Sequence, residues 1–198
     1  GLKLTPYEEM VRADNADLLE CVYPIVKKHQ KERNLKERGF SLLHLAAGTE
    51  GSQKSLQFML SKAKEFPDSI CSNEDQATPL HFAIVSNNLE NAKILLRNGA
   101  NVNSKDASGN TPMHFAVSNN NLRCVRLLDE YGANATSLNI DEICPIDISI
   151  TEDLKDIKMH FLGQSKYSQF DFTGMRQEMG SNQKQYATFT TENTKNFR

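Results

Sequence analysis

Apolar residues in this chain come in short clusters with helical spacing, divided by polar stretches at a regular interval. Leu80, Ala83 and Ile84 fall on one helical face, and Met113, Ala116 and Val117 do the same. Asparagines follow each cluster: Asn87 and Asn88, then Asn119 to Asn121. They suit a turn, because their side chains bond nearby backbone and tolerate left-handed conformations. A second amphipathic cluster comes next, with Ala92, Leu95 and Leu96, then Val125, Leu127 and Leu128. Gly99 and Gly132 follow these clusters, where a helix stop needs a left-handed residue. The polar stretch "NVNSKDASGN" then fits an extended hairpin leading to the next unit. The pattern predicts an all-α chain of helix–turn–helix units.

The units recur at a fixed period, the signature of a repeat architecture. Thr78-Pro79-Leu80-His81 returns as Thr111-Pro112-Met113-His114, 33 residues later. Gly99-Ala100-Asn101 returns as Gly132-Ala133-Asn134. Cys144-Pro145-Ile146-Asp147 fills the same slot one step on, and Ser41-Leu42-Leu43-His44 one step back. Proline in a first helical turn loses no hydrogen bond, and the preceding hydroxyl can cap. No unit buries its apolar face alone, so stacked copies build one continuous core.

From Asp106 to Ala133 and from Thr78 to Asn103, these residues resemble the ankyrin-repeat pattern Asp-x-x-Gly-x-Thr-Pro-Leu-His-x-Ala through Gly-Ala-x-Val-Asn. The resemblance covers residues 39–162 and implies a curved solenoid of four to five helix–turn–helix units with hairpin fingers along one edge. Residues 1–38 read as capping helices or a degenerate repeat, with Ala13 to Val22 resembling the first half of a unit. Pro24 predicts a bend or boundary there. Residues 163–198 drop the pattern. Rich in Gln, Asn, Thr and Ser, they read alone as disordered. Their aromatic residues predict docking: Tyr167, Phe170 and Phe172 from an extended stretch, with Tyr186 and Phe189. The receiving surface is the last repeat around Ile146, Ile150 and Phe161, or a neighbouring molecule.

Composition narrows the function classes. The 198 residues carry a formal charge of -2, so no global field attracts nucleic acid or anionic lipid. No apolar run approaches the ~18 residues of a membrane span. The chain opens on Gly1 rather than Met, which reads as a piece of a longer protein. Cys21, Cys71, Cys124 and Cys144 form no CxxC, so free thiols in a reducing cytoplasmic or nuclear setting are expected.

The candidate chemistry is sparse. His44, His81 and His114 stand one per repeat. Stacked helices lie about 8–10 Å apart, whereas zinc needs donors at about 2.0–2.1 Å. The histidines therefore form a ladder linking units, and no metal or other cofactor is expected. No nucleophile elbow, Cys-His signature or phosphate loop occurs, so the chain does not read as an enzyme. Lys27 to Arg38 holds six Lys or Arg against two Glu. That segment is a nucleic-acid candidate, but no aromatic residue interleaves to stack on bases.

The repeated residues are spent on the core, so function falls to positions that differ between copies. The resemblance implies binding to another protein through hairpin fingers and the inner face of the first helices. Mapped onto this chain, those positions are Glu37, Arg38, Phe40 and Thr49; Glu74, Asp75, Ala77, Val85 and Ser86; Ala107, Ser108, Asn110, Ser118 and Asn119; and Ile140 and Asp141. Phe40 is the leading anchor, since exposed aromatics carry interface energy. The alternatives are a fragment of a multidomain enzyme or transporter, and nucleic-acid binding through residues 27–38. Self-association through the C-terminal segment is also expected.

Overall fold

A computed structural model describes residues 6–32, 39–71 and 74–167, with residues 26–32 by backbone alone. Ten helices form five pairs among them. They are α1 (Pro6–Arg12) with α2 (Ala16–Glu32), α3 (Leu42–Gly48) with α4 (Gln53–Ser61), and α5 (Pro79–Val85) with α6 (Leu89–Arg97). Then come α7 (Pro112–Ser118) with α8 (Leu122–Glu130) and α9 (Pro145–Thr151) with α10 (Lys155–Leu162). A 3-10 turn, Ser165–Tyr167, ends the described chain. First helices stack on first helices in the order α1, α3, α5, α7, α9, and second helices in the order α2, α4, α6, α8, α10. The result is an all-α solenoid.

The core repeats with the sequence. Leu43, Leu80, Met113 and Ile146 share a slot and are all but fully buried. One turn later Ala46, Ala83, Ala116 and Ser149 are fully buried, their small size letting neighbouring helices approach. Leu95, Leu128 and Phe161 do the same for the second helices. Each buried Leu- or Ile-sized side chain contributes about 1.5–3 kcal/mol.

Left-handed residues set every corner. Asp14, Gly51, Asn87, Asn120 and Asp153 turn each pair between its two helices, at φ of 49, 80, 56, 50 and 51°. Gly99 and Gly132 stop α6 and α8 at φ 86 and 82°. After α4, which lacks the glycine, Lys64 takes that role at φ 51°.

Three expectations need correction. Residues 13–22 are not the first half of a unit: they hold the Asp14 turn and the start of a second helix. The first helix lies upstream, where Thr5-Pro6 repeats the Thr-Pro signal without its histidine. Pro24 makes no boundary, because α2 runs through it. Pro24 is on the exposed side, where water can satisfy the carbonyl it frees, while Leu19 and Tyr23 anchor the helix opposite. The hairpin fingers are tight turns rather than extended ladders, and no strand occurs among the described residues. The fingers close on short turn bonds: Cys71 N–H to Ala77 O at 3.0 Å, Asp106 N–H to Asn110 O at 2.9 Å and Asn139 N–H to Ile143 O at 3.0 Å.

Candidate partner-binding surface

The histidines join repeat to repeat. In His81, Nδ1 accepts from the Thr78 N–H at 3.1 Å and lies 2.9 Å from the Thr78 hydroxyl. Its Nε2 reaches the Asn110 carbonyl of the next unit at 3.2 Å. His114 bonds Thr111 and reaches the Ile143 carbonyl at 3.1 Å. His44 bonds Ser41 and reaches the Ala77 carbonyl at 3.1 Å. A carbonyl only accepts, so each ring is neutral with its proton on Nε2. Burial, the leading cause, lowers all three from the ordinary 6.5 to about 4. These are the rungs expected from their spacing, and both nitrogens of each ring are spent on them. In the fifth unit Asp147 takes the histidine's place and accepts the Cys144 N–H at 2.9 Å.

Asparagines add a second set of links. Asn91, fully buried in α6, donates to Ala46 O, Thr49 O and the Ser52 hydroxyl at 2.8, 3.0 and 3.1 Å. Asn139 donates to the Asn110 side chain at 2.9 Å.

Backbone bonds then align the finger tips. The Ala107 N–H donates to Asp75 O at 2.8 Å, and the Ile140 N–H to Ser108 O at 3.0 Å. This brings Glu74, Asp75, Ala107, Ser108, Ile140 and Asp141 into one continuous edge. Ile140 is 70% exposed, and Glu74, Ala107 and Asp141 are also exposed. The edge is acidic at both ends, with Glu142 beside Asp141.

At the ends of the first helices, Val85 and Ser118 are half-buried, and Ser86 and Asn119 are exposed. Thr49 is half-buried, with its hydroxyl bonded to Leu45 O at 2.8 Å. Phe40 is half-buried too, its ring 5.8 Å from that of Phe82. Two mapped positions are not available. Ala77 and Asn110 are fully buried, because the residue before each cap supplies the carbonyl that receives the preceding histidine. Glu37 and Arg38 lie outside the described residues, as does most of the tail after Tyr167.

Sequence reasoning missed a row of apolar residues one place after each histidine slot: Leu45, Phe82, Phe115 and Ile148. Leu45 and Phe82 stay half-buried, whereas Phe115 and Ile148 are 2% exposed. Phe40, Leu45, Phe82 and Val85 thus make the apolar end of the first-helix row. Helices α3 and α5 meet closely there because Gly48 has no side chain: an added Cβ would sit 3.1 Å from the Ser86 hydroxyl and 3.8 Å from Phe82 Cβ. The signal was the recurrence of Phe, Leu or Ile in one slot, which is half-buried in α3 and α5 and buried in α7 and α9.

Asp106 anchors the middle finger. Its carboxylate accepts from the Asn110 N–H at 2.8 Å and the Ser108 N–H at 3.0 Å. Burial still raises it from 3.8 to about 6. Gly109 beside it stands at φ 76°, and an added Cβ would lie 3.1 Å from both Asn139 Cα and Ile140 N. Gly99 and Gly132 have open space at that position. Ala at Gly99 or Gly132 should therefore cost only the backbone strain, about 1 kcal/mol. Ala at Gly109 should cost clearly more, since the next finger must also shift. Urea denaturation midpoints check this, and equal losses at all three sites would contradict it.

The buried thiols of Cys124 and Cys144 are structural. Burial pushes Cys124 up to about 11 and Cys144 up to about 12, so both stay protonated and unreactive. Among the described residues no group of three or more His, Cys, Asp or Glu could hold a metal ion, and no helix is long and apolar enough to cross a membrane.

Stacked helix pairs, histidine rungs and an edge of finger turns define a repeat scaffold, a class that generally binds other proteins. The sequence model for ankyrin repeats (3 copies) matches residues 10–106 and again 71–139, and the chain belongs to the ankyrin-repeat family. It is 31% identical over 110 residues to the NF-kappa-B inhibitor alpha of Gallus gallus. That match takes in 56% of this chain and 35% of the relative, so the chain spans about a third of the relative's length.

Proposed function

We propose that this chain binds a partner protein across the finger edge and the concave face of the first helices, with Phe40, Phe82, Val85 and Ile140 as apolar anchors. The observation that carries this reading is the aligned row of finger tips, on which residues that differ between repeats, Glu74, Ala107, Ile140 and Asp141, stand exposed. The half-buried aromatic pair Phe40 and Phe82 offers rigid apolar contact area at small entropic cost. The acidic ends of the finger edge favour a partner with basic groups there. The relative's name gives NF-kappa-B as the protein it inhibits, so NF-kappa-B is the first partner to test. Four free thiols, three of them buried, suit a reducing compartment, cytoplasmic or nuclear.

Calorimetric titration of NF-kappa-B tests the reading. Val85→Arg with Ile140→Arg should weaken binding at least about tenfold, or 1.4 kcal/mol. Arg123→Glu with Arg126→Glu, on the second-helix row, should leave it unchanged. Equal affinity for wild type and the first pair would refute the proposed surface.

A further inference from the structure

Helices α6 and α8 end in the same way. Gly99 N–H donates to Leu96 O and Ala100 N–H to Leu95 O, both at 3.1 Å. Gly132 N–H donates to Asp129 O and Ala133 N–H to Leu128 O, both at 3.0 Å. Each end is a Schellman stop around a left-handed glycine. The residue before the glycine differs: it is Tyr131 after α8 and Asn98 after α6. Nowhere else in the chain does glycine follow asparagine.

That pair is reactive. The backbone nitrogen after an asparagine can attack the side-chain amide carbon, and glycine, lacking a side chain, hinders the approach least. Asn98 and Gly99 are both exposed, so water and base reach them. In the folded chain, however, both reacting groups are tied. Asn98 Nδ2 donates to Ile94 O at 2.8 Å, and the Gly99 N–H is spent on Leu96 O. The two bonds belong to one helical turn, so fraying of that turn frees both groups together. Asn103, followed by Ser104, is held more firmly. Its Oδ1 accepts from the Asn134 N–H at 2.8 Å and its Nδ2 donates to Gly132 O at 3.3 Å, both in the next unit.

We propose that Asn98 is a self-modification site, converted to aspartate and isoaspartate when the last turn of α6 opens. The Gly99 nitrogen bonds to Asn98 Cγ, the Cγ–Nδ2 bond breaks, and Nδ2 leaves as ammonia with the Gly99 proton. Water then opens the five-membered imide, at Cγ to give aspartate or at the backbone carbonyl to give isoaspartate. The sum is an amide and water becoming an acid and ammonia, with no oxidant or cofactor. Either product undoes the stop. A carboxylate cannot donate to Ile94 O, and it sets negative charge at a helix C-terminus, which the helix dipole disfavours. Isoaspartate also adds one carbon to the backbone shortly before Asn101, whose N–H donates to Asp68 of the preceding unit at 2.7 Å. The modification therefore loosens a joint between two units.

Incubation of the full chain at physiological pH and temperature tests this, with peptide mapping by mass spectrometry and hydrogen exchange of the Gly99 amide. Asn98 should gain acid before Asn103, and at least about tenfold more slowly in the folded chain than in denaturing urea. At urea concentrations below the unfolding transition, the Asn98 rate should rise in proportion to Gly99 exchange. Asn98→Asp should melt at a lower temperature than Asn98→Gln, which keeps an uncharged amide. The proposal is overturned if no acid forms at Asn98, if Asn103 reacts first, or if folded and unfolded chains react equally fast. It is equally overturned if the Asn98 rate ignores Gly99 exchange, or if the two variants melt alike.

Discussion

Lowering the pH from 6.5 towards 4 should destabilise this protein steeply. His44, His81 and His114 are held near 4 in the folded chain and return to 6.5 when it unfolds. A group with a depressed folded value contributes stability that is full above its unfolded value and is lost as pH falls through its folded one. Asp106 opposes them. Its folded value of about 6 exceeds the ordinary 3.8, so it takes up a proton in the folded state across the same window. Near pH 5 the unfolded chain therefore binds three histidine protons and the folded chain one aspartate proton. The net difference of about two protons gives a slope of about 2.7 kcal/mol per pH unit. Summed from pH 7 to pH 4 the loss is about 7 kcal/mol, comparable with the lower part of a total stability of about 5–15 kcal/mol. Urea denaturation at pH steps between 7 and 4 measures the slope, and His81→Gln should reduce it by about one proton's worth. A flat profile over this window would mean that the rings are not buried as neutral rungs.

Phe161→Ala should cost about 3–5 kcal/mol. Phe161 is fully buried and fills the slot held by Leu95 and Leu128 in earlier units. Its ring meets Tyr167 edge-on at 5.6 Å, and Tyr167 is itself 4% exposed. Around them Asp129 of α8 accepts a hydrogen bond from Gln164 and lies 3.3 Å from His160. Removing the ring opens a cavity and takes away the surface on which Tyr167 rests, so one substitution loosens two elements. Tyr167 rests against Phe161 of the last repeat within a 3-10 turn, not in the extended stretch expected for it. Phe170, Phe172, Tyr186 and Phe189 lie outside the described residues. Because a solenoid couples only neighbouring units, the loss should concentrate at this end. Hydrogen exchange should accelerate in α10 far more than in α5. Leu162→Ala, at a 45% exposed position, should cost only about 0.5 kcal/mol. A Phe161→Ala variant within about 1 kcal/mol of wild type would contradict this packing.

What the sequence revealed follows from what repeats. Thr78-Pro79 and Thr111-Pro112 gave the helix starts, Gly99 and Gly132 the stops, and the 33-residue spacing of the histidines their role as rungs. What stayed hidden departs from the period or serves two purposes. The first unit reads out of register because it has no histidine, and Asp14 alone marks its turn. Lys64, Gln76 and Glu142 sit at left-handed corners without glycine, at φ 51, 50 and 60°. No sequence rule places such side chains there, since each costs roughly 1 kcal/mol. Ala77 and Asn110 vary between units and so looked free, but the histidine below each uses its backbone. Phe82 and Leu45 did not stand out because their slot is buried in later units, at Phe115 and Ile148, and half-buried only in these two. Only stacking leaves them at the surface.

The proposal at the centre of this account is that the exposed finger edge and the half-buried residues of the first helices bind a partner, while the buried repeated positions hold the fold. Oxidative footprinting of the chain with and without bound NF-kappa-B tests it most directly. Binding should protect Phe40, Phe82 and Ile140 while leaving Tyr131 and Met159, exposed on the second-helix row, unchanged. Protection of Tyr131 and Met159 with Phe40, Phe82 and Ile140 still open would contradict it.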